Sequence, residues 1–278
     1  MTYVCEPGGL PNRLYLANSD GTVRDASAES VSNFFLQTQA ALFVDLDNDG
    51  DQDLVIATTL GIIFMANDGK GAFTVKGSKL VPEAPPVALA AADIDLDGDL
   101  DIYTACYSLR SINTSDSKND AAQLGRPVPY HDANNGGRNV LFRNDRNWSF
   151  TDATMDLGLD QNNRRYSFAP AWEDYDDDGD PDLYVSNMWS SAGNRIAYQR
   201  NFQKSLDEST RGEFQRHARG NSLFLNNGDG TFSDASQEAG VTMGRWARGS
   251  RFVDINNDSK QDLIVSNGFL TQSDSGDL

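Results

Sequence analysis

An all-β fold, a β-propeller of four-stranded antiparallel blades, is predicted by three features of this 278-residue chain. An acidic phrase flanked by β-branched runs occurs four times. A second phrase, an apolar-alternating run broken by an Asn/Asp/Gly cluster, alternates with it. The acidic loops start at residues 45, 93, 174 and 254, and the first step of 48 residues matches the roughly 40–50 residues of a propeller blade. The later steps, 81 and 80, leave room for an insertion of similar size in each.

Residues 1–31 open the chain as a half blade, with an outer hairpin at 12–30. A blade follows over 40–82. In it the acidic loop offers Asp45, Asp47, Asp49 and Asp53 at positions 1, 3, 5 and 9, with Gly50 at position 6 and Asp51 at position 7. Its flanks, Ala41–Val44 and Leu54–Ala57, are apolar at consecutive positions, as expected of strands covered on both faces. The blade over 88–160 repeats the pattern with Asp93, Asp95, Asp97, Asp101, Gly98 and Asp99, and carries an insertion at 104–137. The blade over 168–242 supplies Asp174, Asp176, Asp178, Asp182, Gly179 and Asp180, with an insertion at 188–219. A half blade over 248–278 ends the series with Asp254, Asn256, Asp258 and Asp262, Ser259 at position 6 and Lys260 at position 7. The two half blades either complete each other in a four-bladed ring or belong to a larger propeller, and the second reading is preferred because four blades lie at the low end of the range.

Acidic residues at alternate positions repel one another unless a cation sits among them. Oxygen-only ligands without His or Cys point to a hard cation, Ca²⁺, with three to four ions for the chain. Position 6 needs a conformation that is cheap only without a Cβ, and position 7, where Lys260 cannot ligate, is expected to offer its backbone carbonyl. An EF-hand is excluded, because position 12 is Ile56, Thr104, Val185 or Val265 rather than Glu and the flanks read as strands. Ser259, Asn256 and Lys260 make the fourth loop the weakest expected site. Solvated acidic turns are the alternative to metal binding, but four copies in fixed register speak against them.

Nineteen of the 41 acidic residues lie in the four nine-residue loops, and the net charge is −18. That balance argues against nucleic acid or an anionic membrane as partner, and no apolar run is long enough for membrane insertion. Cys5 and Cys106 are too few for a disulfide framework and read as separate thiols, with a pairing between them as the alternative. Neither histidine, His131 or His217, has a motif partner, and no Gly-x-Ser-x-Gly or phosphate loop occurs. The second insertion gathers Arg195, Arg200, Lys204, Arg211, Arg216, His217 and Arg219. A helix over 205–218 with Leu206 and Phe214 inward, salt-bridged to the acidic body, is the expectation there, and a patch for an acidic ligand is the alternative. Trp172, Trp189 and Trp246 are expected to pack between blades. The first residues hold no signal peptide, which places the expected N-terminus upstream.

The Asp-x-Asp-x-Asp-Gly-x-x-Asp loops resemble the FG-GAP/VCBS repeats of integrin-α-type propellers. The hairpin Asn221–Asp234, the run Ser190–Ile196 and Met243–Ala247 are similar to the cartilage-acidic-protein-like group, whose members commonly carry an ASPIC/UnbV domain. The resemblance implies calcium binding, a secreted, cell-surface or periplasmic location and a binding or adhesion role toward an extracellular protein or glycan. It implies no reaction. A calcium-dependent enzyme acting on polysaccharide or lipid, its site built from the two insertions, is the alternative.

Overall fold

The computed structural model describes residues 1–8, 10–30, 36–107, 136–161, 163–188, 196–244 and 247–267. Three complete four-stranded antiparallel sheets form the body. Before them lies a three-stranded sheet of β1 (Thr2–Val4), β2 (Arg13–Ala17) and β3 (Val23–Asp25), followed by the one-turn helix α1 (Ser27–Ser30). The second sheet runs β4 (Thr38–Val44), β5 (Asp53–Thr58), β6 (Gly61–Asn67), β7 (Phe73–Leu80). The third runs β8 (Pro86–Ala92), β9 (Asp101–Cys106), β10 (Val140–Asn144), β11 (Phe150–Asp152). The fourth runs β12 (Ser167–Glu173), β13 (Asp182–Asn187), β14 (Ser222–Asn226), β15 (Phe232–Asp234). Between β13 and β14 lies α2 (Glu208–His217), and β16 (Ala247–Val253) with β17 (Asp262–Asn267) forms the last sheet. The sheets are propeller blades, and in each of the four after the first an acidic loop joins the first strand to the second.

The strand period of two explains why the second strands are apolar throughout. Leu54 and Ile56 of β5 face Leu14 and Leu16 of the first sheet, while Val55 between them faces Ile102 and Phe142 of the third. In β9, Ile102 turns back to the second sheet and Tyr103 forward to Leu183 of the fourth. Tyr184 of β13 meets Phe252 of the last sheet, ring centroids 6.2 Å apart. Every residue of β5, β9 and β13 is therefore buried. In β17 Leu263 and Val265 face the fourth sheet, but Ile264 is 44% exposed, with no described sheet on that side.

Two recurring hydrogen bonds explain the hairpin phrase. Its leading asparagine accepts, through Oδ1, the backbone N–H at the end of the preceding strand: Glu6 to Asn12 at 2.8 Å, Cys106 to Asn139 at 2.8 Å, Asn187 to Asn221 at 2.9 Å. Its closing hydroxyl accepts from the third strand: Leu14 N–H to Ser27, Leu141 to Thr154 and Leu223 to Ser236, all 2.9 Å. All four innermost strands, β4, β8, β12 and β16, also share a register shift near their start, which the sequence pattern did not signal.

Two expectations need revision. The first half blade is more than the hairpin, because β1 pairs with β2. That pairing occupies the edge on which β17 would have to add to complete a four-bladed ring, and β16–β17 remains a separate sheet. In the second insertion α2 forms with Asp207 as its N-cap, the Asp207 carboxylate accepting from Thr210 N–H at 2.9 Å. Phe214 packs edge-on against Phe202 at 5.3 Å, but Leu206 precedes the helix and is 37% exposed rather than inward. Most of the first insertion, with His131, lies outside the described residues, as do Arg195, Trp189 and Trp246.

Phe64 of the second sheet stacks on Phe150 of the third, centroids 3.9 Å apart and planes within 4°. Phe64→Ala should cost about 3–5 kcal/mol, read as a fall in the urea midpoint at unchanged slope. A loss under 1 kcal/mol would show that this interface re-forms without the ring.

Candidate metal centres

All four acidic loops adopt one backbone. Position 6 is left-handed in each, with φ of 89° at Gly50, 91° at Gly98, 97° at Gly179 and 69° at Ser259. Position 4 is left-handed as well, at Asn48 (59°), Leu96 (56°), Asp177 (62°) and Asn257 (60°). Asn and Asp visit that region readily, whereas Leu does so only at a cost. The fourth loop thus keeps the fold of the others despite Ser259. The first-position carboxylate holds the turn closed: Asp93 accepts from Asp97 N–H at 3.0 Å and Gly98 N–H at 2.9 Å, and Asp174 and Asp254 repeat the pair.

Positions 1, 3 and 9 converge. Asp45, Asp47 and Asp53 form one triplet, Asp93, Asp95 and Asp101 a second, and Asp174, Asp176 and Asp182 a third, each with ligand atoms within 4.8 Å of one another. In every triplet the ninth-position residue is buried, the first half-buried and the third exposed. Asp45 Oδ1 is buried and accepts no hydrogen bond, an acceptor whose desolvation is uncompensated by protein donors. The fourth loop sets Asn256 between Asp254 and Asp262, so only two carboxylates occupy the corresponding positions.

The ninth-position carboxylate also belongs to the scaffold. Asp53 accepts from Leu46 N–H and from Asn67 N–H, both at 2.9 Å. Asp101 accepts from Ile94 at 3.1 Å and Asn144 at 2.7 Å, and Asp182 from Tyr175 and Asn226 at 2.8 Å. Each therefore ties its loop to the end of the third strand. Burial outweighs these bonds and pushes Asp101 up to about 7 and Asp182 to about 6, while Asp53 is also raised by burial. Asp47, Asp95 and Asp176 are raised, first by desolvation and then by neighbouring carboxylates. A cation among the three would favour the ionised forms.

Positions 5 and 7 stand outside the triplets. The position-5 carboxylates of Asp49, Asp97, Asp178 and Asp258 accept the N–H two residues on, at 2.9–3.0 Å. The Asp51 side chain turns toward the hairpin of its own blade, where a methyl group on Gly69 would stand 2.5 Å from its Oδ2; Asp180 lies likewise against Gly228. In the third sheet Arg146 takes the place of that glycine and pairs with Asp99, its guanidinium also donating to the Asp97 carbonyl at 3.0 Å. Lys260 is exposed.

Other singled-out residues have structural partners. Trp172 lies edge-on to Tyr103 of the preceding blade at 6.2 Å, and Arg219 pairs with Asp234 at 2.7 Å. Cys5 and Cys106 are unpaired thiols. Among the described residues no helix is long and apolar enough to cross a membrane.

Leu96 is 60% exposed and left-handed, so Leu96→Asn should raise stability by about 1 kcal/mol, measured by chemical denaturation; a loss would show that the side chain packs in solution. A second expectation concerns pH. In chelator, folded Asp101 and Asp182 retain protons that the unfolded chain releases near the ordinary value of 3.8. Stability should therefore fall as pH rises from about 4 to about 7. Melting curves in chelator should show that decline, and millimolar calcium should flatten it. A melting temperature rising steadily across the window would contradict the assignment.

Residues 45–104 and 212–265 match the model of the FG-GAP-like repeat. No curated protein matches the chain. Among solved structures it is similar to a lectin of Agrocybe aegerita described as recognising non-reducing terminal N-acetylglucosamine, with TM-score 0.34, 15% identity, and 95% of this chain and 73% of that one covered. It is also similar to the exotype rhamnogalacturonan lyase YesX, with TM-score 0.40, 14% identity, and 95% of this chain and 42% of that one covered. Both likenesses are too distant to bear on activity. The acidic loops that start at residues 45, 93 and 254 lie inside the two segments that match the FG-GAP-like repeat.

Proposed function

We propose that the chain is a calcium-binding β-propeller module, non-catalytic and extracellular or periplasmic, that serves as a binding or adhesion surface. The observation that carries this reading is the threefold convergence of first-, third- and ninth-position aspartates, with an orphaned buried acceptor at Asp45. Oxygen-only triplets suit Ca²⁺, and solvent-facing third-position residues leave room for the waters and carbonyls that complete a shell of six to eight. Affinities of about 10⁻⁶–10⁻³ M fit sensor to extracellular sites, and millimolar calcium outside the cytoplasm would keep such sites filled. In this reading Asp51, Asp99, Asp180 and Lys260 offer only backbone, and the fourth loop binds most weakly.

The partner, an extracellular protein or a glycan, would meet the face opposite the acidic loops, from which both insertions leave. Tyr107, Tyr166 and Phe168 gather there, ring centroids 4.5–5.3 Å apart, with the Arg248 guanidinium 5.2 Å from Phe168. Aromatic faces beside a cation suit sugar rings and carboxylates alike.

Thermal melting in millimolar calcium and in excess chelator tests the metal reading. A rise of several degrees with calcium is expected, since a ligand at 100 times its Kd stabilises by about 2.7 kcal/mol. Equal melting temperatures in the two buffers would remove calcium from the account.

A further inference from the structure

We propose that Asn144 and Asn226 couple the metal centres of successive blades, so that an ion bound in one loop prepares the next. This rests on the calcium reading above and deepens it.

The third strand of each blade ends in an asparagine whose backbone N–H serves that blade's ninth-position aspartate. In two blades its side chain also reaches the preceding loop. Asn144 Nδ2 donates to the Leu46 carbonyl of the preceding loop at 3.0 Å, and Asn226 Nδ2 donates to the Ile94 carbonyl at 2.9 Å. Leu46 and Ile94 are the second-position residues whose own N–H groups bond Asp53 and Asp101. A continuous relay results. Asp53 holds the Leu46 N–H, the Leu46 carbonyl holds the Asn144 side chain, and the Asn144 N–H holds Asp101. Asp101 then holds the Ile94 N–H, the Ile94 carbonyl holds the Asn226 side chain, and the Asn226 N–H holds Asp182. Three metal triplets are joined through buried groups, with the Asn144 and Asn226 side chains crossing from one blade to the next.

The asparagine of the second sheet follows a sheet without an acidic loop, so it has no preceding loop to reach. Asn67 Nδ2 donates within its own blade, to the Gln52 carbonyl at 3.0 Å. The first and second loops share one more link, because Asn48 Nδ2 donates to the Gly98 carbonyl at 3.1 Å and to Asp99 at 2.8 Å. Its counterpart in the second loop, Leu96, has no donor to offer. Among the described residues Asn226 is thus the side-chain link between the second and third loops, which makes it the cleaner test.

An ion that fixes Asp101 also fixes the Ile94 peptide and, through it, Asn226 and Asp182, so part of the ordering needed at the next triplet is complete before its ion arrives. The expected coupling is about fivefold in affinity, the low end of the usual range. Repulsion between ions opposes it and is weakened at 0.15 M salt, where the screening length is about 8 Å.

The experiment is calorimetric titration of the full chain with CaCl₂. Asp47→Ala removes the first triplet and leaves the second and third. This variant should bind its second ion about fivefold tighter than its first, and adding Asn226→Ala should make the two sites independent. Adding Asn144→Ala instead should leave the coupling intact, which a general loss of rigidity would not do. If Asn226→Ala fails to fold, Asn226→Ser stays uncharged, offers a hydroxyl oxygen to the Gly228 N–H that Asn226 Oδ1 accepts at 3.2 Å, and is too short to reach the Ile94 carbonyl. Two ions bound independently by Asp47→Ala alone, or coupling that survives both Asn226 variants, would overturn the relay while the calcium reading stands. A wild-type chain that takes up no calcium would overturn both.

Discussion

The ninth-position aspartate is the constraint on which the blades depend. It begins the second strand, so it must be buried if that strand is to be covered on both faces. A buried carboxylate needs donors, and Asp53, Asp101 and Asp182 each find one N–H in the loop and one at the end of the third strand. Leaving such an acceptor unpaired costs about 1–3 kcal/mol and more if it is charged. The two bonds fix the loop against its own blade and the third strand in register with the second. The same carboxylate then faces the first- and third-position acids, which makes one residue both a structural pin and a candidate metal ligand.

From that pin the rest of the architecture follows. With the second strand anchored, its alternate side chains project into two different inter-blade layers, and the chain becomes a row of sheets each sharing a core with the next. Leu54 and Val55 are neighbours in sequence and belong to separate cores. Such an array has no single interior, and its stability resides in the interfaces. The stack of Phe64 on Phe150 and the edge contact of Trp172 with Tyr103 are two of them.

The sequence made the blades legible because their signals are local. Strand alternation, acidic spacing and the Asn/Asp/Gly turn all operate within about ten residues, and each repeats. What escaped was either too short or too distant. Three residues, Thr2–Val4, carry no period, so β1 could be found only through its pairing with Arg13–Tyr15. The left-handed fourth position was hidden because Leu96 disagrees with Asn48, Asp177 and Asn257, although three of the four residues are types that accept such a conformation. The separation of position-7 side chains from the triplets had a trace in Lys260, which cannot ligate, and a firmer one in the glycines at 69 and 228 that make room for Asp51 and Asp180. The links from Asn144 to Leu46 and from Asn226 to Ile94 span 98 and 132 residues. No local pattern could announce bonds of that reach.

The four loops share one backbone but are not one site. The second loop keeps all three triplet carboxylates and has a guanidinium at its back, where Arg146 neutralises Asp99 without entering the triplet. A cation there would meet the full set of ligands against a weaker surrounding negative potential. The fourth loop makes the opposite compromise: Lys260 is exposed, but Asn256 removes a charge from the ligand set itself. A carboxylate lost from the first shell acts at contact distance, whereas a positive charge outside it acts through screening water, and Coulomb energy falls with both distance and dielectric. The fourth loop should therefore lose more affinity than the second, although both have gained a basic neighbour. Loop backbone is thus preserved more widely than ligand chemistry along this chain, because all four turns carry the same Asx hydrogen bonds.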